Sequence, residues 1–127
     1  MEANTRKMPD CPVEITLQLI GDKWKVLIIR DLLTGTKRFN ELMRSVTGIT
    51  QKVLTSHLRA MEAAGLVNRT VYPEVPPRVE YTLTAMGESF LPVLNHMLLW
   101  SETHLCPPDY VNPYQDGGRG PLPGTEA

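Results

Sequence analysis

The sequence predicts a mainly α-helical domain with one small β-hairpin, which is an α+β fold. Two patterns lead to this prediction. Apolar residues recur at helical spacing through most of residues 11–106, whereas residues 67–83 alternate apolar and polar around a proline-rich loop. The chain has 127 residues, 42% hydrophobic and 21% charged, which suits a globular protein with one core.

Composition divides the chain into three parts. Residues 1–10 are polar and predict a flexible N-terminal segment, residues 11–106 carry the periodic patterns of a folded domain, and residues 107–127 are rich in Pro and Gly and predict an extended tail. No apolar run is long enough to span a bilayer, and the N-terminus lacks a secretory apolar region. We therefore expect a cytoplasmic protein.

The first two helices follow from their start signals. Asp10-Cys11-Pro12 predicts a helix that begins near Pro12 and runs to about Ile20. This helix is apolar on two sides and needs two surfaces to pack against. Asp22 can cap the second helix, predicted over Lys23–Leu33, whose apolar residues surround most of its circumference. The second helix should therefore lie at the centre of the core.

The third and fourth helices are joined by a tight turn. The third is expected from about Phe39 to Val46, and Gly48 ends it. Thr50 can cap the fourth, which runs to Ala64 with Gly65 just beyond its end. The fourth helix has an apolar stripe at spacings of four and three residues, formed by Leu54, Leu58 and Met61.

A hairpin and a last helix complete the domain. Strands are predicted over Val67–Tyr72 and Val79–Leu83, and three prolines stiffen the loop between them. Thr84 can cap one long helix to about Leu105, which Pro92 should kink. That helix has almost no polar face, so we expect it to be buried against a second copy of the chain. The predicted homodimer interface joins the first and last helices through Ile15, Leu19, Leu91, Leu98 and Trp100.

This order of elements is that of a winged helix-turn-helix, in which the second helix of the pair enters the DNA major groove and the hairpin flanks it. Residues 36–59 hold five cations and one anion, although the whole chain has a net charge of −1. A solvated helix face would also explain these charges. The outward polar residues of the fourth helix favour double-stranded DNA. The predicted DNA contacts are Lys37, Arg38, Thr50, Gln51, Lys52, Thr55, Ser56, Arg59 and Arg78.

Four segments between Cys11 and Trp100 resemble the HxlR-type winged-helix transcription regulators, which are related to the MarR group. They are Cys11-Pro12, GDKWKVLIIRDLLTGTKRFNEL from Gly21, GITQKVLTSHLRAMEAAGLVNR from Gly48 and VYPEVPPRVEYTLTAMG from Val71. The resemblance implies a dimer built mainly from the first and last helices. It also implies a recognition helix at Thr50–Ala64 and a wing at Tyr72–Val79. The tail after Cys106 is not covered.

Cys11 and Cys106 are the candidate redox residues. A helix N-terminus favours the thiolate form of Cys11, and the resemblance implies that a cysteine at this position can sense oxidants or electrophiles. If the first and last helices form the dimer interface, Cys106 of the partner subunit can approach Cys11 and act as the resolving thiol. Alternatively, both thiols stay reduced and Cys11 is an inert small apolar residue.

Other functions have weaker support in the sequence. The three histidines lack ligand spacing with cysteine or carboxylate, so neither a metal nor another cofactor is expected. The absence of a nucleophile motif and of a Gly-rich phosphate loop argues against an enzyme. The rival interpretation is a winged helix that serves only as a protein-interaction or dimerisation module. Acidic or apolar residues on the outward face of the fourth helix would have favoured that interpretation.

Overall fold

A computed structural model describes residues 11–112, which form six helices and three β-strands and confirm the predicted winged helix-turn-helix. The elements in chain order are α1 (Pro12–Ile20), α2 (Lys23–Leu32), β1 (Lys37–Arg38), α3 (Phe39–Ser45), α4 (Gln51–Ala63), β2 (Val67–Tyr72), β3 (Arg78–Leu83), α5 (Ala85–Glu88) and α6 (Leu91–His104). The segment predicted as flexible, residues 1–10, and most of the predicted tail lie outside the described residues. None of the helices in the described range has the length and apolar character needed to cross a membrane.

The predicted helix caps of α2 and α4 are confirmed. The Asp22 carboxylate accepts hydrogen bonds from the backbone amides of Trp24 and Lys25, both at 2.9 Å, and the Thr50 hydroxyl accepts one from Val53 at 3.2 Å. Gly48 has a φ of +89° in the turn before α4, a conformation that side chains with a Cβ rarely adopt. These local signals fix where the helix pair turns.

The core lies between α2, α3, α4 and the sheet. Ile28 and Ile29 of α2 are fully buried, which confirms the central place predicted for this helix. The predicted inward stripe of α4 is buried as well. Burying one face of α4 on the core leaves its opposite face to solvent. The remaining buried members of the main core are Ile20, Leu32, Leu42, Val46, Ile49, Leu66, Val67, Tyr81 and Leu83.

The hairpin belongs to a three-stranded antiparallel sheet with the order β1-β3-β2. Strand β1 is absent from the prediction because two residues are too few to show alternation. Lys37 pairs with Tyr81, and Arg38 pairs with Glu80. The sheet edge therefore positions both cations, which the sequence placed only before the third helix.

The prediction of one kinked last helix is wrong. The chain forms a short helix, α5, and a separate helix, α6, with a turn at Ser89–Phe90 between them. Pro92 lies in the first turn of α6. Proline has no N–H to donate, and the first helical turn is where that loss costs least, so a new helix begins there and α5 ends before it.

A compact contact fixes α5 to the end of α4, and we call its residues Gly65, Leu66, Thr84 and Gly87 the helix junction. The Thr84 hydroxyl donates to the Gly65 carbonyl at 2.6 Å and accepts from the Gly87 amide at 3.0 Å. The Thr84 amide donates to the Leu66 carbonyl at 3.0 Å. A Cβ at Gly87 would collide with the Leu66 carbonyl oxygen, so this approach requires glycine.

The core also contains a charged pair near the C-terminal end of α2. Asp31 has no exposed surface, and its carboxylate accepts two hydrogen bonds from the Arg30 guanidinium, from Nε at 2.9 Å and from Nη2 at 3.3 Å. This two-point geometry is the strong form of an arginine–carboxylate interaction. The pair keeps a buried negative charge compensated.

Candidate nucleic-acid interface

The outward face of α4 gathers five of the predicted DNA contacts on one surface. They line a shallow depression of about 660 Å³, in which the half-buried Thr55 lies among four exposed side chains. The other four are Gln51, Lys52, Ser56 and Arg59. Amide, hydroxyl and guanidinium groups are the groups that reach base edges and phosphates, so this surface has the chemistry that a reading helix needs.

The N-terminal end of α4 adds positive potential to this surface. Its first turn holds Lys52 and no acidic residue. Unpaired amides and the helix dipole favour an anion at this end. Thr50 lies here too, but its hydroxyl oxygen already accepts the Val53 amide, so its first role is to cap the helix.

Lys37 and Arg38 lie apart from this depression, on β1. Lys37 Nζ donates to the Thr34 hydroxyl at 2.9 Å. Arg38 is exposed at the N-terminus of α3, where its backbone amide donates to the Glu41 carboxylate at 2.7 Å. The two cations therefore lie along the sheet edge and are not part of the outward face of α4, which we call the reading face (Gln51, Lys52, Thr55, Ser56 and Arg59).

Arg78, the predicted contact of the wing, is held by neighbours within the hairpin. Its guanidinium donates to Glu74 at 2.9 Å and to Glu80 at 2.7 Å, and it lies 3.8 Å from the centre of the Tyr72 ring. The hydrogen bond to Glu74 is the main reason that the pKa of Arg78 is raised, and the bond to Glu80 comes next. Two carboxylates offset the charge of this arginine, so its geometry serves the shape of the hairpin.

A second cavity, of about 470 Å³, lies between α4 and the sheet, and we call it the notch. Its buried apolar lining includes Leu58 and Tyr81, and half-buried Phe39 also lines it. Gln51, Thr55 and Arg59 line the notch as well as the reading face. Its other charged residues are Glu62 and Arg69.

Arg69 is a residue that the sequence analysis missed. It pairs with Tyr81 across the hairpin, and it alternates with Val67 and Val71 on one face of β2. The sequence feature that marks Arg69 is its place at an apolar position of an alternating strand. The valines of this strand dominate its pattern, so alternation is the feature that its sequence indicates most clearly.

His57 of α4 lies near Asp22, the cap of α2. Its Nε2 lies 3.8 Å from Asp22 Oδ1. Partial burial acts to raise the pKa of Asp22, but hydrogen bonds from the Lys25 amide and ammonium, with the charges of His57 and Lys25, outweigh burial and lower the pKa. The lowered pKa keeps Asp22 ionised as the cap of α2.

The two cysteines are free and lie at the ends of the outer helices. Cys11 is exposed at the N-cap of α1 and Cys106 is half-buried just after α6. The chain beyond Cys106 turns back, and buried Asn112 donates to the Glu102 carboxylate at 3.0 Å. Within residues 11–112, no three His, Cys, Asp or Glu side chains are grouped so that they could hold a metal ion.

The outer faces of α1 and α6 each expose apolar side chains. Trp100 is 58% exposed, and Leu99 is 61% exposed. The other predicted interface residues, Ile15, Leu19, Leu91 and Leu98, are half-buried in the single chain. Further exposed apolar residues are Val13, Leu17, Val93 and Met97. A surface of this kind is typical of an interaction site.

Comparison with known proteins gives a family match over most of the chain. Residues 19–109 match the family model described as HxlR-like helix-turn-helix. The HTH-type transcriptional regulator YybR of Bacillus subtilis (strain 168) is 44% identical over 108 residues, which are 85% of this chain and 84% of that protein.

Two solved structures are similar in both sequence and fold. The redox regulator HypR in its oxidized form is 46% identical, with a TM-score of 0.70 over 76% of this chain and all of that one. The reduced form of the transcriptional regulator YodB from B. subtilis is 37% identical, with a TM-score of 0.68 over 80% of this chain and all of that one.

Proposed function

The chain belongs to the HxlR-like helix-turn-helix family of transcription regulators, and we propose that it binds a specific inverted-repeat operator as a homodimer. The observation that carries this proposal is the outward face of α4, where five polar and cationic side chains share one surface while Leu54, Leu58 and Met61 hold the opposite face in the core.

In this proposal α4 enters the major groove, where some of its side chains contact bases and others contact phosphates. Gln51, Thr55 and Arg59 contact base edges, since amide and guanidinium groups can form paired hydrogen bonds with adenine and guanine. Lys52 contacts phosphate and contributes affinity without sequence preference. Ser56 and Thr50 supply hydroxyl groups beside them, Lys37 and Arg38 extend the basic surface, and Arg78 contacts DNA from the wing.

The apolar faces of α1 and α6 support the homodimer. A two-fold axis through them would place two α4 helices about one DNA turn apart, roughly 34 Å, and each would read one half-site. An operator with two inverted half-sites follows from that symmetry.

The first prediction separates reading from positioning. Gln51→Ala should reduce the preference for the operator over a scrambled duplex by about 1–3 kcal/mol, because a base contact is lost. Its matched control, Lys52→Ala on the same helix turn, should weaken both duplexes alike. Fluorescence anisotropy on an operator selected from genomic fragments measures both effects. If the parent binds no DNA at low salt, DNA binding is refuted and the chain is a protein-interaction module.

We also propose that Cys11 responds to oxidants through a disulfide with Cys106 of the partner subunit. Support comes from the exposed thiol at the N-terminus of α1. Two similar structures add to it, the oxidized form of HypR and diamide-treated YodB. In such a step the Cys11 thiolate adds to the N=N bond of diamide, and the thiolate of Cys106 of the partner subunit then attacks the Cys11 sulfur. The S–N bond breaks as the S–S bond forms, and diamide leaves as the hydrazine, having taken up two electrons and two protons.

The second prediction is that mild diamide treatment yields a crosslinked dimer on a non-reducing gel and lowers operator affinity. Cys11→Ser and Cys106→Ser should each abolish the crosslink and the loss of affinity, because each removes one sulfur of the bond. Dithiothreitol should reverse both effects in the parent protein. A parent that gives no crosslinked species, with a Cys11→Ser variant that responds as the parent does, would refute the redox proposal.

A further inference from the structure

We propose that the notch between α4 and the hairpin holds one phosphate of the DNA backbone, with Arg69 as its ligand. This inference rests on the proposed DNA binding and assigns a contact to a residue outside the reading helix. The ligand is a phosphodiester oxyanion, which a guanidinium binds through two parallel hydrogen bonds.

The first argument is the contrast between the two arginines of the hairpin. Arg78 is engaged by two carboxylates and an aromatic ring. Arg69 is exposed, and within residues 11–112 it forms no ion pair or hydrogen bond through its side chain. Of these two arginines, Arg69 is the one whose full charge and donors are free for a ligand.

The second argument is position. Gln51, Thr55 and Arg59 line the notch and the reading face together, so the notch opens beside the surface that would enter the groove. Phosphates flank the major groove on both sides. With α4 in the groove, the phosphates of one groove wall would lie against the side of the helix that faces β2, where Arg69 is.

The third argument is the charge and shape of the cavity. Two guanidiniums, those of Arg59 and Arg69, and one carboxylate, that of Glu62, line the notch. None of the three is ion-paired within the described range, so the cavity carries a net positive charge and hydrogen-bond donors. Buried Leu58 and Tyr81 restrict how deeply an anion can enter. An anion would therefore stay at the level of the arginines.

The third prediction tests this site by salt dependence. Arg69→Ala should lower the slope of log K against log salt by about one unit and weaken the operator and a scrambled duplex alike, because one phosphate contact is lost. Arg69→Lys should restore the slope, since it retains the charge. Asn68→Ala, the matched control on the same strand, should leave the slope equal to that of the parent because exposed Asn68 has no charge to neutralise a phosphate.

Ethylation interference gives an independent readout. One phosphate in each half-site should interfere with parent binding when ethylated and should cease to matter for Arg69→Ala. An unchanged slope and an unchanged ethylation pattern in a folded Arg69→Ala variant would overturn the phosphate site while leaving the proposed function intact. A parent that binds no DNA would overturn both proposals.

Discussion

Trp100→Glu is expected to convert the proposed homodimer into a monomer and to weaken operator binding by about 10²–10⁴-fold, the gain that linking two binding modules provides. Trp100 is 58% exposed on α6, beside the 61% exposed Leu99. A carboxylate buried at this place in a dimer would lose its hydration, and the cost of that desolvation would oppose association. In the single chain the new side chain stays in water, and the fold should persist.

Light scattering and operator titration check this expectation together. Val75→Glu is the matched control for association, because Val75 is fully exposed in the loop between β2 and β3 and the same apolar-to-acidic change there should leave the dimer intact. A Trp100→Glu protein that remains a dimer would place the interface elsewhere. A monomeric variant with parent affinity for the operator would refute reading by two half-sites.

Asp31→Ala is expected to destabilise the protein by about 3–5 kcal/mol, the usual cost of breaking a buried ion pair. The Asp31 carboxylate has no exposed surface and compensates the Arg30 guanidinium, whose side chain is only 13% exposed. Removing the carboxylate breaks this two-point interaction, and it also creates a cavity in the packing of α2.

Denaturant unfolding followed by circular dichroism measures the loss. The double variant Arg30→Met with Asp31→Leu is the informative control, because it replaces both members of the ion pair by apolar residues of similar size. This variant should retain most of the free energy of unfolding. If Asp31→Ala loses less than about 1 kcal/mol, the pair contributes little to stability and the interpretation fails.

Local signals in the sequence were sufficient to predict the helix pair that presents the reading face. Asp22 and Thr50 cap their helices, and Gly48 turns the chain, through contacts within a few residues. The stripe at Leu54, Leu58 and Met61 predicted which side of α4 is buried. Since these features depend on nearest neighbours along the chain, a single sequence contains them.

The sequence could not predict features that depend on how the chain folds back on itself. Strand β1 has no pattern of its own and exists because Lys37 and Arg38 meet β3. The partners of Arg78 are only four and two residues away, but its ion pairs with Glu74 and Glu80 depend on the conformation of the hairpin loop, which the sequence did not predict. The sequence predicts that Pro92 interrupts a helix. Whether it kinks one helix or begins another depends on how tightly α5 packs against Leu66.

The helix junction couples the end of α4 to α5. Thr84 is hydrogen-bonded both to the residue that ends the reading helix and to the amide of Gly87 in α5, so these elements turn as one piece. The two-residue turn at Ser89–Phe90 then joins this unit to α6. A rotation of α6 relative to α5 would have to pass through this turn to reach α4. If the outer helices form the proposed dimer interface, these two residues are a chain connection between that interface and the proposed DNA-contacting surface.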